Sequence, residues 1–104
     1  MKIEKIEVRD IAKNFGTPVY VYSLETLRRS IAEIKQLAPV TRYAMKANSN
    51  ARILKEMLNS GVKIDAVSVF EVQRALRAGF QTNDICFTSD VFFNDDDVKF
   101  CLEN

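Results

Sequence analysis

The stretch Arg42-Tyr43-Ala44-Met45-Lys46-Ala47-Asn48-Ser49-Asn50 decides how this chain is read. A short apolar run ends on a lysine and passes through small and amide residues into a helical pattern. Val40 to Lys46 reads as a buried parallel strand with Lys46 at its C-terminal end, the end at which α/β folds place their chemistry. Asn48, Ser49 or Asn50 can cap the helix that follows, which carries Ile53, Leu54, Met57 and Leu58 on one face. Asn59-Ser60-Gly61 closes it with a glycine stop.

The same rhythm continues on both sides. Upstream, Val19-Tyr20-Val21-Tyr22 is β-branched and aromatic, a strand by composition. Ser23 then caps a helix with Leu24, Leu27, Ile31, Ile34 and Leu37 on one face, Arg28, Arg29, Glu33 and Lys35 on the other, and Pro39 as its stop. Downstream, Ile64 to Val69 predicts a strand holding Asp65 between apolar neighbours. Phe70, Val72, Ala75, Leu76 and Ala78 predict a helix stopped by Gly79. Ile85 to Thr88 predicts a fourth strand, and Asn94 or Asp95 caps a last helix carrying Val98, Phe100, Cys101 and Leu102. Ahead of all this, residues 1–7 are a short edge strand or a frayed start, and Val8 to Phe15 has helical spacing ended by Gly16 and Pro18.

A strand–helix unit repeated four times, with strand ends at Tyr22, Lys46, Val69 and Thr88, implies an α/β fold with a parallel sheet and right-handed crossovers. Four units are the N-terminal half of a (β/α)8 TIM-like barrel, which takes about 250 residues in full. Residues 1–17 then form an N-terminal segment with a short helix, and residues 18–104 a partial barrel. A free half-barrel would leave unpaired strand edges and an apolar inner face in water. The expectation is the N-terminal part of a larger chain, or self-association.

Composition removes other classes. The 104 residues are 47% hydrophobic and 28% charged with a net charge of +1, and the charges are scattered, so no nucleic-acid footprint is expected. No apolar run reaches the roughly 20 residues of a membrane span. The start Met-Lys-Ile-Glu-Lys-Ile-Glu has no apolar core of a secretory signal, so a cytoplasmic protein is expected. Histidine is absent, and Cys86 and Cys101 form no Cys-x-x-Cys pair. A metal site is not expected, a histidine-activated nucleophile is excluded within the chain, and both cysteines read as small buried apolar residues.

Lysine and carboxylate chemistry remain. Lys35 and Lys55 decorate helix faces, Lys63 precedes a strand, and Lys2, Lys5 and Lys13 lie in the polar N-terminal segment. Lys46 differs, since its strand is apolar and it sits at the catalytic end; it reads as a nucleophile toward a carbonyl or as a snorkelling lysine. Asp65 lies in the next strand, where it can orient or charge that amine or bond backbone donors. Glu71 opens the next helix, facing the same site or stabilising the helix dipole. Asn48, Ser49 and Ser68 are more often caps than ligands. Gly16, Gly61 and Gly79 all read as helix stops, so no phosphate cradle is visible.

Four segments in succession carry a resemblance: Phe15-Gly16-Thr17-Pro18-Val19-Tyr20-Val21-Tyr22, Tyr43-Ala44-Met45-Lys46-Ala47-Asn48, Asp65-Ala66-Val67-Ser68 and Arg74-Ala75-Leu76-Arg77-Ala78-Gly79-Phe80. From about residue 10 onward the chain resembles the start of the diaminopimelate decarboxylases. These are fold-type III pyridoxal-phosphate enzymes, with ornithine and arginine decarboxylases and alanine racemase. The resemblance implies that residues 18–104 are part of a PLP-binding barrel whose remainder, with a C-terminal β-domain, is absent. It implies that Lys46 forms the internal aldimine with pyridoxal 5'-phosphate, that Asp65 lies near it, and that Glu71 and Asn48 are active-site neighbours. It further implies a lyase of lysine biosynthesis that takes an amino-acid substrate, meso-diaminopimelate to L-lysine and CO2, and acts as a dimer. An ornithine, arginine or carboxynorspermidine decarboxylase and a non-catalytic partner-binding relative are the alternatives. Val69-Phe70 replaces the two glycines many members have after the serine, and Ser89-Asp90-Val91-Phe92-Phe93-Asn94 departs from their small polar loop. The family's ring-stacking histidine, phosphate loop and pyridine-nitrogen acid are not in these residues, so the chain alone is expected to be inactive.

Overall fold

The computed structural model describes residues 1–89 and 94–103. Its first residues close on themselves: β1 (Lys2–Ile3) pairs antiparallel with β2 (Ile6–Glu7), and α1 (Val8–Phe15) follows directly. Glu4 in the turn has φ +54°, a left-handed conformation uncommon for a side chain with a Cβ. Its carboxylate makes use of that position. Glu4 Oε1 accepts from Ser23 Oγ at 2.8 Å and from the Glu25 N–H at 3.0 Å, so the hairpin helps cap α2 (Leu24–Leu37). Ser23 caps the same helix from within, its Oγ accepting from the Thr26 N–H at 3.0 Å.

The main body is a parallel sheet of β3 (Arg42–Ala44), β4 (Lys63–Ala66) and β5 (Ile85–Phe87) in that order. Ala44 pairs with Asp65 and Asp65 with Cys86. Between the strands run α3 (Ala51–Asn59) and α4 (Val69–Ala78), and α5 (Asp95–Glu103) ends the described chain. The core lies on one side of the sheet: Met45, Leu54, Ile64, Ala66 and Ala75 have no exposed surface, with Ile31, Ile53, Met57, Val72 and Phe80 around them.

Two like turns feed β4 and β5. After α3, Gly61 turns to φ +66° and its N–H donates to the Leu58 carbonyl at 3.0 Å, while the Val62 N–H donates to the Met57 carbonyl at 3.0 Å. After α4, Gly79 turns to φ +104°, its N–H donating to Leu76 at 3.0 Å and the Phe80 N–H to Ala75 at 3.2 Å. Each satisfies the last helical carbonyls and buries the residue after the glycine: Val62 and Phe80 are both in the core. A Cβ on Gly79 would meet Leu58 Cδ2 at 3.3 Å besides adopting a strained φ. Gly79→Ala is expected to lower stability by about 1–2 kcal/mol, seen as a lower urea midpoint with an unchanged slope.

A side-on ion pair ties α2 to α3. Arg28 Nε and Nη2 donate to Glu56 Oε2 and Oε1 at 2.8 and 3.0 Å, and Glu56 is 5% exposed. The Arg28 bonds hold the Glu56 carboxyl below its ordinary value against the opposing effect of desolvation. The Glu25 N–H, then Ser23, do the same for Glu4. Carboxylates with lower values folded than unfolded contribute stability that is full above about pH 4.5 and lost as pH falls through the folded values. Urea midpoints are expected to drop as pH is lowered into that range, and Glu56→Gln should flatten the drop; an unchanged slope in the variant would remove the pair from this account.

Several expectations need correcting. Val19–Tyr22 is not a strand: the segment has no ladder partner, and Tyr20 is 90% exposed. β-propensity becomes a strand only beside a neighbour to pair with. The described residues therefore hold three parallel strands of the expected four units. The expected strand end at Val69 is instead the first residue of α4, because Ser68 already caps that helix, its Oγ accepting from the Glu71 N–H at 3.3 Å. The strand expected to run to Lys46 stops at Ala44. The face away from the helices is not apolar, since strand alternation puts Arg42, Lys63, Asp65 and Cys86 there. Cys86 is accordingly exposed, while Cys101 is half-buried at the core's edge. Asp90 to Phe93, most of the divergent loop, lie outside the described residues. Among the described residues no helix is long and apolar enough to cross a membrane.

Candidate active site

Lys46 lies in a single 3-10 turn, Met45–Ala47, directly after β3. Met45 is wholly buried and anchors the turn; Lys46 beside it is exposed and makes no hydrogen bond or ion pair with a described residue. The loop beyond is held from three sides. Tyr43 Oη donates to the Asn48 carbonyl at 2.9 Å, and burial pushes the Tyr43 phenol up, keeping it a donor. Asn48 Oδ1 accepts from the Asn50 N–H at 2.9 Å, and Asn50 Oδ1 accepts from the Arg52 N–H at 2.9 Å. Of the three candidates, Asn50 is thus the cap of α3. From α4, Arg74 Nη1 donates to Ser49 Oγ at 2.9 Å and to its carbonyl at 3.3 Å.

Asp65 is in the middle strand on the open face, half-buried. Its Oδ1 accepts from Thr88 Oγ1 at 2.6 Å. Lys46 and Asp65 are thus at the same end of adjacent parallel strands, but they form no ion pair. Glu71 serves its helix: Oε2 accepts from the Val67 N–H at 2.9 Å while Ser68 bonds the Glu71 N–H, a reciprocal cap of α4. Asn48 also spends its side-chain oxygen on its own loop. Sequence reading missed Arg74, Tyr43 and Thr88 here. Each acts on a partner set by register or helix packing, and local composition carries no signal of it beyond the polar side chain itself.

A parallel α/β sheet with a primary amine that has no partner among the described residues, and a carboxylate at the C-terminal end of the neighbouring strand, defines the class, an α/β domain with its candidate site at the strand ends. Residues 24–98 match the family model described as pyridoxal-dependent decarboxylase, pyridoxal binding domain, and the chain belongs to that family. It is 52% identical over 81 residues to a diaminopimelate decarboxylase of Escherichia coli strain K12, covering 74% of this chain and 19% of that one. The solved diaminopimelate decarboxylase of Helicobacter pylori complexed with L-lysine superposes with a TM-score of 0.85 at 28% identity, covering 93% of this chain and 25% of that one. The arginine decarboxylase of Paramecium bursaria Chlorella virus bound to agmatine gives 0.81 at 28%, covering 92% and 27%. The chain thus spans about a fifth of the length of the curated relative. The residues present fit an aldehyde cofactor, which requires a primary amine, and Lys46 has no partner among the described residues.

Proposed function

We propose that this chain is the N-terminal portion of a pyridoxal-phosphate-dependent decarboxylase that converts meso-diaminopimelate to L-lysine and CO2. Lys46 is the residue that would hold the cofactor, through the primary amine at Nζ. When bound, pyridoxal phosphate supplies a sink for the electrons left as the carboxyl carbon departs. Lys46 would also hold or move a proton at Nζ. Asp65 orients that amine and balances its charge. Asn48 and Glu71 act on the site through the loop and helix start that they fix. The observation that carries this reading is Lys46 itself, exposed at the strand end inside the matched segment and without a partner among the described residues.

The substrate follows from sequence more than from shape. The two solved relatives act on different substrates yet superpose about equally well at the same identity, so the fold does not choose between them. The 52% identity to a diaminopimelate decarboxylase does favour one. A homodimer with sites at the subunit boundary completes the proposal; the open edges of β3 and β5 are in keeping with further strands on either side. The test adds pyridoxal phosphate to the complete decarboxylase polypeptide, reduces it with borohydride and locates the adduct by mass. A label on Lys46 is expected, and no label or a label elsewhere would sink the reading. Assays on diaminopimelate, ornithine and arginine then identify the substrate.

A further inference from the structure

We propose that Thr88 is a positioning residue for Asp65, fixing which carboxylate oxygen is presented toward Lys46. The proposal rests on the function just argued and extends it to a side chain with no assigned part. The bond between Thr88 Oγ1 and Asp65 Oδ1 is 2.6 Å long, within the range of a hydroxyl donating to an ionised carboxylate. An ionised carboxylate only accepts, so the threonine is the donor.

The hydroxyl is held by the sheet. The Thr88 N–H donates to the Ala66 carbonyl at 2.8 Å, continuing the β4–β5 ladder one residue past Phe87. Strand alternation then puts Thr88 on the face of Cys86 and Asp65, and its β-branched side chain has little χ1 freedom. Cys86 Sγ lies 3.8 Å from the same hydroxyl, a contact too weak to compete for the proton. Asp65 is left with one oxygen bound and with Oδ2 making no hydrogen bond or ion pair to a described residue. Ala44 shares the register row of Asp65, and Lys46 follows two residues later at the same end. Asp65 and the Thr88 hydroxyl therefore stand on the open face, at the strand end that leads into the Lys46 turn.

A merely structural threonine would cost stability and leave the chemistry of Lys46 alone, so the test reads Lys46. In the complete decarboxylase polypeptide, pyridoxal phosphate is titrated over a range of pH, trapped with borohydride and the Lys46 adduct quantified by mass, for T88V, T88S, D65N and the T88V/D65N pair. T88V is expected to raise the cofactor concentration for half-labelling about tenfold, the scale of a lost bond to a charged group, and to change the pH profile of labelling. T88S should restore both to within about twofold, and T88V should add nothing in the D65N background. Labelling of T88V like the unsubstituted protein, or an equal loss with and without Asp65, overturns the proposal. So does a D65N variant that labels normally. Absence of any Lys46 label in the unsubstituted protein overturns the parent function and this proposal together, which separates the two failures.

Discussion

Lys46→Ala is expected to abolish borohydride-trapped pyridoxal phosphate in the complete decarboxylase and to cut decarboxylation by on the order of a thousandfold or more. The size follows from what the amine does twice under the proposed function: it holds the cofactor covalently and later moves a proton. Lys46→Arg should be nearly as damaging, because a guanidinium keeps the charge but cannot condense with an aldehyde. Neither change should affect folding much, since the side chain is exposed and has no described partner. Circular dichroism and a urea midpoint close to the unsubstituted values, alongside lost trapping, are the expected pair of results. A variant that still traps the cofactor at another lysine would remove Lys46 from the chemistry.

Leu54→Ala should produce the largest stability change. Leu54 is completely buried and, with Met45 and Ile64, is among the largest side chains sealed in the core. Truncation loses the transfer energy of the deleted carbons and leaves a cavity, about 2–5 kcal/mol in comparable sites. That is a large share of the 5–15 kcal/mol typical of a whole domain. Leu37→Ala is the control, since Leu37 is 86% exposed and a surface change of this kind is worth within about 0.5 kcal/mol. Urea titration of both separates the outcomes, and equal midpoints would mean that the helix layer does not pack over the sheet as described.

What could be read beforehand was what is decided locally. α1 and α2 run from Val8 to Phe15 and from Leu24 to Leu37, as their spacing predicts, because caps, glycine stops and apolar faces act within a few residues. Val19–Tyr22 has the composition of a strand but lacks a neighbour, and pairing is a property of two segments. The end of β3 could not be placed at Ala44 without its register against Asp65. The polar character of the open face was hidden for the same reason: which of Lys63, Ile64 and Asp65 turns inward depends on which partner stands opposite. At the site, Lys46 stood out because a lysine closing an apolar run is unusual. Glu71 read as facing the site or, more readily, as stabilising the helix dipole, and its bond to Val67 ties it to the start of α4. Thr88 read as an ordinary strand former, since its partner Asp65 lies 23 positions away.

The paired glycine turns bear on how this chain can change length in evolution or engineering. Each turn closes through a fixed pair of bonds, Gly61 to Leu58 with Val62 to Met57, and Gly79 to Leu76 with Phe80 to Ala75. One residue inserted or removed there would rotate the following strand by one face. Ile64 and Ala66 would turn to the open side while Asp65 turned into the helix layer. Length variants should therefore be rejected at the rim that carries the glycine turns.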